Sequence, residues 1–201
     1  LMEPTGALIE GGCQGTIRAE ITTTGVAAHS ARSWLGHNAI HDMADVLERV
    51  RSIEVGEVEV EGLVYREGLN ATMISGGLAP NVVPDSCTVQ VNYRFAPDKT
   101  AEQALAKLSG WLADWELTVR DLSSAARPGL DRPAAADFVR AVGGQPRAKY
   151  GWTDVARFSE LGIPAVNFGP ADPGKAHKVD ECCPLSDLET CLAALQRWLT
   201  G

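Results

Sequence analysis

His177 is the side chain in this chain best placed by type and spacing to do chemistry. It stands in Gly169-Pro170-Ala171-Asp172-Pro173-Gly174-Lys175-Ala176-His177, with Asp180 and Glu181 three and four residues later. Neutral imidazole is a common metal ligand, and a nearby carboxylate can fix its tautomer. His29 sits in a run of small residues after a strand pattern, where the plain reading is a hydrogen-bonded loop histidine. Asn81 lies in Pro80-Asn81-Val82-Val83-Pro84, whose two prolines stiffen the segment enough to hold an amide in place. Arg94 occupies the polar face of a regular strand, either a solvated edge charge or a rigidly held guanidinium suited to a carboxylate. Gly151-Trp152-Thr153-Asp154 reads as a turn into a helix, with Thr153 or Asp154 as its cap. Glu3, in Glu-Pro-Thr near the start, carries no pattern of its own.

The elements that must position these residues are legible from periodicity. Residues 15–24 alternate Ile17, Ala19 and Ile21 with polar neighbours, which predicts a half-buried strand. Gly25 ends it, and 26–31 reads as a loop. Asn38 is an N-cap for a helix carrying Ile40, Met43, Ala44, Leu47 and Val50. His37 and His41 flank that start as exposed histidines. Further strands are expected over 55–65, 69–75, 87–95 and 117–122. Thr100 and Gln103 form a capping box opening a second helix, with Ala104, Leu105, Leu108, Trp111, Leu112 and Trp115 as its buried stripe. The order strand, helix, strands, helix, strand is the split βαβ pattern of a ferredoxin-like sandwich. An open sheet edge in such a module invites pairing with a second copy, so a homodimer through it is expected.

From Ser123 to Pro133 the composition turns to Ser, Ala, Arg, Pro and Gly, a linker. A second α/β piece follows, with helices near 134–142, 153–161 and 186–199. Its strands are expected at 147–150 and, short and buried, at 163–168. Two strands make a thin sheet, and the chain opens abruptly at Leu1. The expectation is therefore an α/β (α+β) protein, with residues 15–123 as a ferredoxin-like dimerising sandwich inserted in an incomplete α/β piece formed by 1–14 and 124–201.

The chain has 201 residues, a formal net charge of −8 and a pI near 5.0. That balance argues against nucleic acid or an anionic membrane as partner. No apolar run approaches a membrane span and no signal peptide opens the chain, so a cytoplasmic protein is expected. Five cysteines without a CxxC pair make a disulfide framework or structural zinc knuckle unexpected. Cys182-Cys183 near His177 read as inert thiols rather than ligands.

Taken together, Glu3-Pro4-Thr5, Ala28-His29-Ser30-Ala31-Arg32-Ser33-Trp34-Leu35-Gly36, Asn81-Val82-Val83-Pro84 and Asn92-Tyr93-Arg94-Phe95 resemble the dinuclear-zinc aminoacylase, carboxypeptidase and desuccinylase family. Tyr150-Gly151-Trp152-Thr153-Asp154-Val155-Ala156-Arg157-Phe158 and Ala176-His177-Lys178-Val179-Asp180-Glu181 sharpen the match to its desuccinylase branch. The resemblance runs from Glu3 to the C-terminus, and it implies that 15–123 is a lid and dimerisation domain inserted in an incomplete zinc-hydrolase catalytic domain formed by 1–14 and 124–201. It implies Glu3 and His177 as ligands of two zinc ions, with cobalt an alternative. It implies His29 as an oxyanion donor reaching into the partner subunit's site, and Asn81 likewise across the dimer. Arg94, Thr153 and the Gly151 backbone would hold a small acidic substrate. The implied reaction is hydrolysis of an N-succinyl amide. An N-acyl amino acid deacylase is the near alternative, and a non-catalytic dimerisation module the alternative of another class.

Two departures qualify the match. The family's His-x-Asp ligand, bridging aspartate and Glu-Glu pair precede the Glu3 motif, and none is present here, so this chain by itself is expected to be inactive. Relatives carry Gly-Arg-Arg-Gly where this chain has Gly12-Cys13-Gln14-Gly15, which points to Arg32 for the substrate's second carboxylate.

Overall fold

A computed structural model describes residues 1–200. In chain order the elements are β1 (Glu10–Gly11), β2 (Gly15–Thr24), β3 (Ala28–His29), α1 (Ala39–Ser52), β4 (Glu57–Val60), β5 (Leu63–Arg66), β6 (Gly68–Gly76), β7 (Val82–Val83), β8 (Ser86–Phe95), α2 (Ala101–Trp111) and β9 (Thr118–Ser123). There follow α3 (Pro133–Val142), β10 (Arg147–Ala148), α4 (Val155–Glu160), β11 (Val166–Asn167) and α5 (Leu185–Thr200).

The longest strands, β2 and β8, pair antiparallel over ten residues from Gly15↔Phe95 to Thr24↔Ser86. They form the centre of a four-stranded sheet ordered β6-β8-β2-β9. With α1 and α2 between its strands, this is the expected split βαβ sandwich. Val89, Val91, Tyr93 and Phe95 all point into the core with no exposed surface. Each such large side chain contributes about 1.5–3 kcal/mol by leaving water. Their period-two spacing therefore sets the register, because a one-residue slip would expose the whole set. Thr100 and Gln103 close both bonds of the capping box of α2, and Ala104, Leu108 and Leu112 fill the core beneath it.

Four expectations are corrected. Residues 55–65 are not one strand but a hairpin, β4-β5, turning at Glu61-Gly62, both at positive φ (52° and 78°). The buried stripe of α1 is Ala39, Met43, Val46 and Val50, so Ile40 and Leu47 turn outward. That helix lies across β6, β8 and β2. The loop expected over 26–31 holds β3, paired with β7. The buried strand expected over 163–168 shrinks to β11, with Ile163 at 48% exposure. Pro164 has no N–H to give a ladder, and the chain meets β1 only from Val166.

The second sheet, ordered β10-β1-β11, gathers strands from both ends of the chain. Here β1 lies between β10, parallel to it, and β11, antiparallel to it. Phe138 stacks edge-on against Phe168 and Trp198, joining α3 and α5 to that sheet. Beside them lies an apolar hollow of about 330 Å³, lined by Leu1, Phe138, Phe158, Ile163, Phe168 and Trp198 among others. No helix among the described residues is long and apolar enough to cross a membrane.

Candidate functional site

The predicted site residues fall into two groups at opposite ends of the sandwich. Glu3, Gly151, Thr153 and His177 belong to the segments around the second sheet. Residues 1–7 run beside β11 and its exit: Phe168 donates its N–H to Leu1 O at 2.9 Å and Ala7 donates to Gly169 O at 2.8 Å. Gly169 abuts Glu3, and a Cβ there would stand 2.5 Å from the Glu3 carbonyl oxygen. Glu3 thus lies against the root of the loop that carries His177. Gly169→Ala is expected to push the Glu3 segment aside at a cost of about 1–3 kcal/mol, read by chemical denaturation.

His177 is exposed, at φ 65°. The expected carboxylate partner is present but does not touch the ring: Glu181 Oε2 accepts the His177 backbone N–H at 2.9 Å. The acidic residue shapes the loop and leaves both ring nitrogens available. Gly151 is exposed, whereas Thr153 is buried with its hydroxyl unpartnered and its carbonyl facing Cys13 Sγ at 3.7 Å. Neither Thr153 nor Asp154 caps α4 through a side chain; Asp154 holds the cap position with helical backbone angles.

Several anchors of this region escaped sequence reasoning. Glu10 is buried and pairs with Arg147 Nε at 2.9 Å and Lys149 Nζ at 2.8 Å. Arg147 also donates to Thr5 O at 2.9 Å, and the Thr5 hydroxyl accepts the Gly169 N–H at 3.1 Å. Together these bind the segment bearing Glu3 to β10 and β11. The only sequence signal was a lone acid between Ile9 and Gly11, which period-two reasoning cannot assign to a two-residue strand.

His29, Asn81 and Arg32 form the second group. Their common position comes from β3 pairing with β7, His29 opposite Val82. Ser30 donates its N–H to Asn81 O at 2.9 Å, which puts the two predicted residues side by side, both exposed. His29 Nδ1 accepts the Ala31 N–H at 3.1 Å. A neutral His29 therefore carries its proton on Nε2, which faces out as a donor. Arg32 is exposed in the 3-10 turn Ser30–Leu35 that follows. His37 pairs with Asp42 at 2.6 Å at the start of α1, and His41 is exposed, in keeping with the bland expectation for both.

This group follows Thr24, whereas the second sheet joins the sandwich at Gly15. At about 3.4 Å per residue, the ten-residue strands separate the two ends by roughly 30 Å. Arg94 lies near the Gly15 end, paired with Thr16. Its Nε donates to Asn92 Oδ1 at 3.0 Å, leaving the terminal nitrogens for a carboxylate.

Among the described residues no three His, Cys, Asp or Glu side chains converge where an ion could sit. Glu3 and His177 supply two donors at most, short of the three or four protein ligands of a zinc centre. The residues present do not fit a dinuclear site by themselves. Cys182 and Cys183 are free thiols that join no such cluster.

Comparison with known proteins agrees with this architecture. The chain is 49% identical over its whole length to a putative succinyl-diaminopimelate desuccinylase of Mycobacterium tuberculosis, covering 57% of that protein. It is 44% identical to a succinyl-diaminopimelate desuccinylase of Corynebacterium glutamicum, covering 56% of it. The chain thus spans little more than half the length of these relatives. Among solved structures, a Staphylococcus aureus tripeptidase superposes with a TM-score of 0.77 at 17% identity, over 98% of this chain and 54% of that one. An M20 family metallo-carboxypeptidase of Sulfolobus solfataricus gives 0.73 at 16% identity, over 99% of this chain and 62% of that one. Residues 12–116, more than half of the sequence, match the peptidase dimerisation domain, and the chain belongs to that family.

Proposed function

We propose that this chain is the lid, dimerisation and C-terminal catalytic part of an N-succinyl-LL-2,6-diaminopimelate desuccinylase. The reaction would hydrolyse the amide to succinate and LL-diaminopimelate. One observation carries the reading: His29 and Asn81 are adjacent and exposed a strand's length away from Glu3 and His177. Residues that far apart in one subunit serve one reaction only if a second copy brings them together.

In this reading the roles divide by place. His29 presents an Nε2–H to the oxyanion of the tetrahedral intermediate, where a well-aimed donor acts in the transition state. Asn81 adds an amide beside it. Arg94 holds a substrate carboxylate, Gly151 and Thr153 line the same end, and Arg32 takes the second carboxylate from the partner. The reading assigns two zinc ions, or cobalt, to the complete enzyme, with Glu3 and His177 among the donors. Metal there would supply Lewis acidity and an activated water. The residues of this chain contribute binding and orientation.

The homodimer is assigned to the margin where α1 meets β6. Residues 70–76 of β6 are all exposed, and Ile40, Leu47 and Ile74 are apolar side chains at that margin. An unpaired edge beside an apolar flank is what a second copy covers. Ile74→Lys is expected to shift the chain from dimer to monomer in sedimentation while leaving its circular dichroism unchanged.

The test of function is a chimera in which the part of the Mycobacterium tuberculosis relative not matched by this chain is joined to it. Zinc-dependent release of succinate is the expected result. Faster turnover of N-acetyl amino acids would move the protein to the deacylase branch. A folded dimer that binds zinc yet hydrolyses neither would leave the non-catalytic dimerisation module.

A further inference from the structure

The two sheets are joined by two stretches of chain, Gly12–Gln14 and Ser124–Arg132, which lie side by side. Cys13 and Ala126 exchange both backbone hydrogen bonds at 3.0 Å. The fit is close: Gly12 sits at φ 58°, and a Cβ on it would stand 2.3 Å from Ala126 O. Two short connections joined by a single bridge make a thin joint that bends unless something outside it holds the angle.

The β4-β5 hairpin meets that need. By sequence it lies inside the sandwich domain, between α1 and β6, yet it pairs with no strand of the sandwich sheet. It reaches across the joint instead. At its turn, Glu61 Oε1 accepts from Arg127 Nε at 2.7 Å and Oε2 accepts the Gly129 N–H at 2.8 Å. The buried Tyr65 hydroxyl donates to Gly11 O at 2.8 Å, at the end of β1 where the other crossover begins. Gln14 Nε2 donates to Arg66 O next to it. Val60 and Tyr65 then join Ala96, from the end of β8, and Ala148, from β10, in one buried apolar cluster. The large core of the sandwich contains no residue of β10, β11 or α3–α5, and the core around Phe138 and Phe168 contains none from the sandwich.

We propose that this hairpin is a clasp that sets the angle between the sandwich and the second sheet, with Glu61 and Tyr65 as its positioning residues. Glu61 grips one crossover and Tyr65 the end of β1 that leads into the other, so the direction in which His29 and Asn81 are carried is decided by contacts some distance from both. The kinetic consequence rests on the amide-hydrolase reading above; the geometric one does not.

The geometry is tested on the chain itself. Spin labels at Asp45→Cys on α1 and Glu189→Cys on α5, both exposed, are placed in a Cys182→Ser/Cys183→Ser background and diluted with unlabelled chain. The distance distribution between them is compared for the parent, Glu61→Gln, and Glu61→Gln with Tyr65→Phe. The double variant is expected to broaden the distribution about twofold, as for a joint that has lost its restraint. Amide-exchange protection in β2 and β8 should stay unchanged. Glu61→Gln alone, which touches only the exposed turn, should give a smaller broadening in the same direction. An unchanged distribution in both variants overturns the proposal. So does loss of protection across β2 and β8 in both variants, because the hairpin would then be a support of the sandwich core.

In the active chimera, the double variant should lower kcat about tenfold with KM within about twofold, as misplaced catalytic groups do. A broadened distribution with unchanged kcat would remove Glu61 and Tyr65 from the reaction while the hydrolase reading stands. A chimera inactive before any substitution would sink that reading and leave the distances to decide on the clasp.

Discussion

Mixing a His29→Ala chimera with a His177→Ala chimera, each nearly inactive alone, is expected to restore about a quarter of the parent activity. Removing one oxyanion donor costs about 10²–10³ in kcat, and losing His177 removes an assigned metal ligand. In the mixture, random exchange makes half of the dimers mixed. Each mixed dimer holds one site built from an intact His177 and the other subunit's intact His29. The second site of that dimer lacks both, so one site in four is whole. If His29 served the site of its own subunit, every site would stay damaged and the mixture would be as inactive as its parts. Recovered succinate release against mixing time separates the two arrangements. The roughly 30 Å span of β2 and β8 between the two groups is the reason to expect recovery.

Glu67→Ala is expected to destabilise the sandwich by about 3–5 kcal/mol, the range for breaking a buried ion pair on one side. Only 2% of the Glu67 side chain is exposed. Its carboxylate accepts from Lys99 Nζ, from the Ala96 N–H at 2.9 Å and from the Tyr93 hydroxyl at 3.0 Å, with Lys107 Nζ at 3.4 Å. These contacts tie the exit of β5 to the end of β8 and to α2. Burial alone would raise the carboxyl pKa, but the Lys99 hydrogen bond and the Ala96 N–H outweigh it and hold it below the ordinary carboxylate range. The folded pKa is therefore lower than the unfolded one. The stabilisation is present in full above the unfolded value and is lost as pH falls through the folded one. Urea denaturation from pH 7 down to pH 3 should show the parent losing stability where Glu67→Ala loses less. Adding Lys99→Met to Glu67→Leu should recover part of the loss, because an apolar pair leaves no unpaired charge behind.

Much of the architecture could be read before any coordinates. Gly15–Thr24 and Ser86–Phe95 were legible because a half-buried strand writes its burial into alternate residues, and Val89, Val91, Tyr93 and Phe95 did so without interruption. The α2 capping box was legible because its two hydrogen bonds are made within four residues. Family membership was legible as ordered short motifs, from Glu3-Pro4-Thr5 to His177. Where the reading failed, distant contacts had decided the outcome. Glu61-Gly62 split one apparent strand into a hairpin whose turn is held by Arg127, 66 residues away. The strand at Ile163–Phe168 shrank because β1, from the other end of the chain, supplies its ladder only at Val166 and Asn167. The sequence by itself thus determined which segments fold locally and which side chains could do chemistry, since periodicity, caps and motifs are properties of neighbours. Only the tertiary structure decided that Glu3 lies at the root of the His177 loop while His29 and Asn81 face away at the far end. That partition follows from how two sheets are joined through Gly12–Gln14 and Ser124–Arg132, and no local pattern encodes a junction made by residues a hundred positions apart.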